Sequence, residues 1–134
     1  MPSSGSPALP AKLKHLTPPE RAALADFLAR LREQYADEVV SVRLFGSRAR
    51  GEGGPESDLD VLVVVRSEDW FAQRKVGEVA LQPMLDHSVV ISTLIVGQKH
   101  YRKLARFHTP LYENVRDEGV NLWTSRTRRT SSGT

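Results

Sequence analysis

Residues 39–65 read VVSVRLFGSRARGEGGPESDLDVLVVV, and the order of residue types in this stretch decides the fold. Val39 to Phe45 is β-branched and of short period, with Val40, Val42 and Leu44 expected on one side, so it predicts a strand. Gly46-Ser47-Arg48-Ala49-Arg50-Gly51 follows at once, and the loose stretch 52–57 adds two Gly and one Pro. Leu59 to Val65 is the most hydrophobic run in the chain. Its lack of polar alternation predicts a strand covered on both faces and therefore central in a sheet.

Ten residues separate Ser47 from Asp58, and Asp58-Leu59-Asp60 opens the second strand. Residues two apart on a strand face the same way, so Asp58 and Asp60 are expected to project together while Leu59 enters the packing opposite. Adjacent carboxylates repel unless a cation lies between them or a proton is shared. Mg²⁺ suits that need, because it prefers carboxylate oxygens and commonly binds through one or two Asp together with substrate phosphates. Gly46 and Ser47, placed after a strand, let a phosphate approach backbone N–H groups, with the Ser47 hydroxyl as a further donor. Arg48 and Arg50 offer guanidinium donors to phosphate oxygens. The combination predicts a nucleoside-triphosphate site that transfers a phosphoryl-linked group. It is not a Walker loop, which ends in Gly-Lys-Ser/Thr.

Outward from this centre the chain alternates helices and strands. Thr17, Pro18 and Glu20 form a capping-box signature, and Leu24, Phe27, Leu28, Leu31 and Tyr35 make an apolar stripe behind it. Ser67 is expected to cap a helix reaching about Leu85, with Trp70, Phe71, Val76, Val79, Ala80 and Leu81 on its buried side and a kink or end near Pro83. Val89 to Val96 is a third strand, Gly97 to Phe107 a helix, and Thr109-Pro110 begins another that ends at Gly119. Val120 to Trp123 reads as a short pairing segment. The expected class is α/β (α+β), a small mixed central sheet with flanking helices.

With 134 residues, 40% hydrophobic and 26% charged, the chain fits one domain with a genuine core. That domain is placed at 15–123, between an N-terminal segment 1–14 and a basic polar tail 124–134, both expected to be disordered. The absence of Cys excludes disulfides, thiolate zinc sites and cysteine nucleophiles. No membrane-length apolar run and no signal peptide are visible, so the default location is cytoplasmic. The net charge of +3 is partly local to Arg126, Arg128 and Arg129. The four His lack metal-ligand spacing, and Trp70, Phe71 and Trp123 read as core or partner packing before base stacking. Lys99, Arg102, Lys103 and Arg106 give one helix a basic side, read first as solvated, with nucleic-acid binding left open.

Leu44-Phe45-Gly46-Ser47-Arg48-Ala49-Arg50-Gly51 followed by Ser57-Asp58-Leu59-Asp60-Val61-Leu62-Val63 resembles the minimal nucleotidyltransferases of the DNA polymerase beta-like superfamily. The resemblance covers nearly all of 20–123. It implies Gly46 and Ser47 at the nucleotide phosphates and Asp58 and Asp60 on Mg²⁺, as metal ligands and catalytic residues. Relatives commonly add a third carboxylate on the following core strand. Here Val90 or Ser92 occupies the expected place, and Asp86 precedes the strand. Small stand-alone members resemble the antitoxin of two-component modules whose helical HEPN ribonuclease is neutralised by binding and by adenylylation. The implied activity is transfer of AMP from ATP to a protein hydroxyl. The alternatives are a weakly active or inactive nucleotide-binding protein that regulates a partner by contact, and a nucleic-acid-binding accessory protein. Homo-oligomerisation is left open.

Overall fold

The computed structural model describes residues 9–54 and 56–124. The first helix, α1 (Pro18–Tyr35), begins as its sequence dictates: Thr17 Oγ1 accepts the Glu20 N–H at 3.3 Å, and Glu20 Oε1 accepts the Thr17 N–H at 2.8 Å. Its apolar stripe buries Ala23, Leu24, Phe27, Leu28 and Leu31 completely.

Four strands form one mixed sheet, β1 (Val39–Phe45), β2 (Leu59–Val65), β3 (Ile91–Gly97) and β4 (Val120–Thr124), in the order β3-β2-β1-β4. β1 pairs antiparallel with β2 and with β4, whereas β2 and β3 run parallel. That parallel step requires a crossover, made by α2 (Trp70–Gly77), a 3₁₀ turn (Glu78–Ala80) and α3 (Leu81–His87). The remaining helices, α4 (Gln98–Arg106) and α5 (Pro110–Glu118), carry the chain from β3 to β4.

Each face of the sheet has its own core. Leu59, Val61, Val63 and Val65 of β2 join Val42 and Leu44 of β1 and the stripe of α1 in the larger cluster. Leu62 and Val64 point the other way, into a smaller cluster with Val96 and Val115. Every residue of β2 except Asp60 is buried, as expected of a central strand.

Several expectations are corrected. Val40 does not share a side with Val42 and Leu44, because a register shift between Val39 and Ser41 turns it toward the smaller cluster. Asp69, not Ser67, caps the crossover helix, accepting the Ala72 N–H at 2.9 Å. The expected single helix breaks at 78–80, four residues before a proline that has no N–H to continue the ladder. Trp70, Phe71 and Leu81 are not buried; their exposures are 67%, 56% and 55%. Residues 9–14 belong to the packed unit rather than to a loose end: a 3₁₀ turn (Ala11–Leu13) seats Leu13 fully in the larger core and Leu9 packs against it. Residues 1–8 and 125–134, including the tail arginines, lie outside the described residues. No described helix is long and apolar enough to cross a membrane.

Candidate active site

The strand β1 ends at Phe45, which pairs with Asp60 across β2, so the hairpin itself brings the Gly-Ser turn to the Asp pair. Gly46 has φ +80°, and a Cβ there would collide with the Asp60 carboxylate. Glycine is thus demanded twice, by backbone conformation and by the close approach of the acid. The chain then makes one helical turn: the Ala49 and Arg50 N–H groups donate to the Gly46 carbonyl at 3.1 and 3.2 Å. The first N–H groups of such a turn, at Ser47 and Arg48, have no preceding carbonyl within it to bond.

The loop returns through Glu52, whose N–H donates to the Ser47 carbonyl at 2.8 Å. Gly53, with φ +74°, passes so near that a Cβ would sit 2.6 Å from Ser57 Oγ and 3.3 Å from Ser47 Oγ. Ser57 Oγ in turn accepts the Gly54 N–H at 3.2 Å. Two serines and three positive-φ glycines, Gly46, Gly51 and Gly53, therefore hold a tight loop at the start of β2.

Asp58 is exposed and precedes the strand, Asp60 is half-buried within it, and Leu59 between them is fully buried on the opposite face. Burial raises the Asp60 pKa above its ordinary value, and the Asp58 charge raises it further. Among the described residues neither carboxylate has an ion-pair partner. Hard oxygen donors bearing uncompensated like charge suit a divalent cation such as Mg²⁺.

On the other side of Asp60, the parallel neighbour in register is Ser92. That neighbour carries a hydroxyl rather than a carboxylate, and the described residues contain no cluster of three or more potential metal ligands. Asp86 is far from this chemistry in its contacts: it accepts from Gln82 Nε2 at 2.8 Å and faces Arg30 at 3.7 Å.

The two arginines expected at the phosphates are engaged within the protein. Arg48 is 4% exposed, and its guanidinium donates to both carboxylate oxygens of Glu20, at 2.6 and 3.1 Å. The phosphate role read for Arg48 is therefore corrected, since its charge is neutralised behind the loop. Arg50 is exposed and bridges Glu52 at 3.1 Å and Glu118 at 2.8 Å, tying the loop to the end of α5. Sequence reading missed Glu20 as a partner of the loop, because its capping-box role already accounted for the residue. His15 was missed as well; its Nε2 contacts the Arg48 carbonyl.

Trp70 stands apart from this site. It lines a groove of about 410 Å³ between α2, α3 and β3, together with Leu81, Met84 and Ile95, and none of Gly46, Ser47, Asp58 and Asp60 contributes to it.

Residues 24–116 match the nucleotidyltransferase domain family. The chain belongs to that family. It is 28% identical over 104 residues, 78% of its length and 98% of the other's, to a Methanocaldococcus jannaschii protein named "Putative protein adenylyltransferase MJ0604". A second protein of that organism, "Putative protein adenylyltransferase MJ0141", is 32% identical over 87 residues, 64% of this chain and 81% of the other. Among solved structures, a chain from a crystal structure of a toxin-antitoxin with AMP-PNP superposes with a TM-score of 0.50 at 22% identity, covering 78% of this nucleotidyltransferase and 76% of that chain. At that identity the likeness speaks for the fold alone.

Proposed function

We propose that this nucleotidyltransferase binds ATP with Mg²⁺ and transfers AMP to a hydroxyl of a protein partner. The observation that carries the reading is the seating of the Asp60 carboxylate against Gly46, which joins the phosphate-binding turn and the acidic pair in one site. Gly46 lets the Asp60 carboxylate come against the turn, the open N–H groups of the turn and the Ser47 hydroxyl bind phosphate oxygens, and Asp58 and Asp60 hold the metal. Bound there, Mg²⁺ supplies charge neutralisation at the phosphates. The acceptor hydroxyl attacks the α-phosphorus and gives up its proton to water; a new P–O bond forms as the bond from the α-phosphorus to the α–β bridging oxygen breaks, and pyrophosphate leaves. The relatives named as protein adenylyltransferases support a protein acceptor. The resemblance to antitoxins suggests a small helical HEPN-type toxin as that partner.

Ser92 beside Asp60 favours a second reading, in which nucleotide is bound but transfer is weak and the partner is controlled by contact. One experiment separates the two. ATP is titrated calorimetrically into the full chain with and without Mg²⁺, and label transfer from α-labelled ATP to a small helical HEPN-type protein is followed. Mg²⁺-dependent binding with transfer that disappears in Asp60→Asn is expected. Binding without transfer would favour the second reading, and no binding would overturn both.

A further inference from the structure

We infer that Glu20 and Arg48 form a buried brace that sets the shape of the nucleotide loop, acting as positioning residues rather than ligands. The inference rests on the nucleotide reading above for its effect on affinity, but not for its effect on the loop.

Arg48 follows Ser47 directly, so its backbone belongs to the Gly-Ser turn while its side chain runs beneath the loop. There Nη1 donates to the Glu52 carbonyl at 3.0 Å and the Gly53 carbonyl at 3.3 Å, on the returning limb. Nε and Nη2 meanwhile grip Glu20, which is 1% exposed. One planar guanidinium thus ties together the outgoing limb, the returning limb and the start of α1. Glu20 Oε1 also accepts the Thr17 N–H, and His15 reaches the Arg48 carbonyl, so the cap of α1 and the loop are fixed by the same atoms.

A buried ion pair is weak evidence of stabilisation, since well-packed apolar residues often replace one without loss. What apolar residues cannot do is donate to two loop carbonyls with a fixed fork. Lysine keeps the charge but loses the fork. The brace therefore predicts that loop geometry and fold stability separate on substitution.

The test uses the full chain, ATP with Mg²⁺ as probe, and the variants Arg48→Lys and Glu20→Leu/Arg48→Met. Hydrogen exchange without nucleotide is expected to show faster exchange at the Ala49, Arg50 and Glu52 amides in both variants. The double variant is expected to melt within about 5 °C of the parent while its Kd for ATP rises about tenfold or more. Arg48→Lys is expected to fall between parent and double variant. Unchanged loop exchange, or parental ATP affinity, in Arg48→Lys or in a folded double variant would overturn the brace. Should the parent chain bind no ATP, the nucleotide reading fails, and the exchange measurement still decides whether the brace exists.

Discussion

The two sides of the Gly46–Gly54 loop treat charge in opposite ways. Behind it, Glu20 and Arg48 are buried together with their charges matched and each guanidinium nitrogen hydrogen-bonded. In front, Asp58 and Asp60 place like charges side by side with no cation from the described chain between them. Both features carry electrostatic cost, but only the first is resolved within the protein. The contrast teaches where the sequence serves folding and where it leaves a demand for a ligand to meet.

The contrast breaks most sharply on removing one member of the matched pair. Glu20→Ala is expected to destabilise the chain by about 3–5 kcal/mol in urea unfolding, because it leaves a guanidinium buried without its partner. Next comes Leu59→Ala, at about 2–5 kcal/mol by the same measurement, since its side chain is fully buried in the larger core, on the face opposite the two acids. Asp60→Asn, one residue away, is expected to act in the opposite sense. It raises stability of the metal-free protein at pH 7 by about 0.5–1 kcal/mol while abolishing Mg²⁺-dependent nucleotide binding. An Asp60→Asn chain less stable than the parent at pH 7 would show that the carboxylate is compensated after all. Trp70→Ala on the exposed groove is expected to change stability by less than about 0.5 kcal/mol.

Acid titration sharpens the same comparison. Burial works to raise the Glu20 pKa, but the hydrogen bonds from Arg48 and the Thr17 N–H outweigh it and hold the value below the ordinary 4.5. Its contribution is therefore present above the unfolded pKa and lost as pH falls through the folded one. Asp60 has the reverse sign. Its folded pKa lies above the ordinary 3.8, so its contribution is present below the unfolded value and lost as pH rises through the folded one. Melting curves between pH 3 and 7 should thus show the Asp60→Asn advantage shrinking on acidification, and a constant difference across that range would contradict the raised pKa.

Much of the fold was legible because its signals are local. The capping box at Thr17 and Glu20, the uninterrupted run of β2 and the Gly-Ser turn each act within a few residues, and the alternation around Leu59 placed both acids on one face. What escaped depends on partners distant in sequence. Arg48 read as a phosphate donor because its type and position suit one, and only Glu20, brought close by α1 packing under the loop, redirects it. Trp70 and Phe71 read as core because aromatics usually are, yet they stand in the first turn of α2, a helix that buries Val76 and leaves both rings exposed. The spacing of Leu9, Leu13 and Leu16 did carry a signal for the packed N-terminal turn, masked by the Pro and Ser around it. The identity of the residue beside Asp60 needed the parallel register of β2 and β3, which no pattern within β3 specifies.

Because Phe45 pairs with Asp60, the residues proposed as nucleotide and metal ligands lie on a single hairpin whose two strands are close in sequence. Loop closure of that length is a modest entropic step, whereas the parallel strand and its crossover demand contacts between distant segments. In kinetic terms the hairpin is expected to be the first region to gain amide protection during refolding, ahead of β3, as pulse-labelled hydrogen exchange would record.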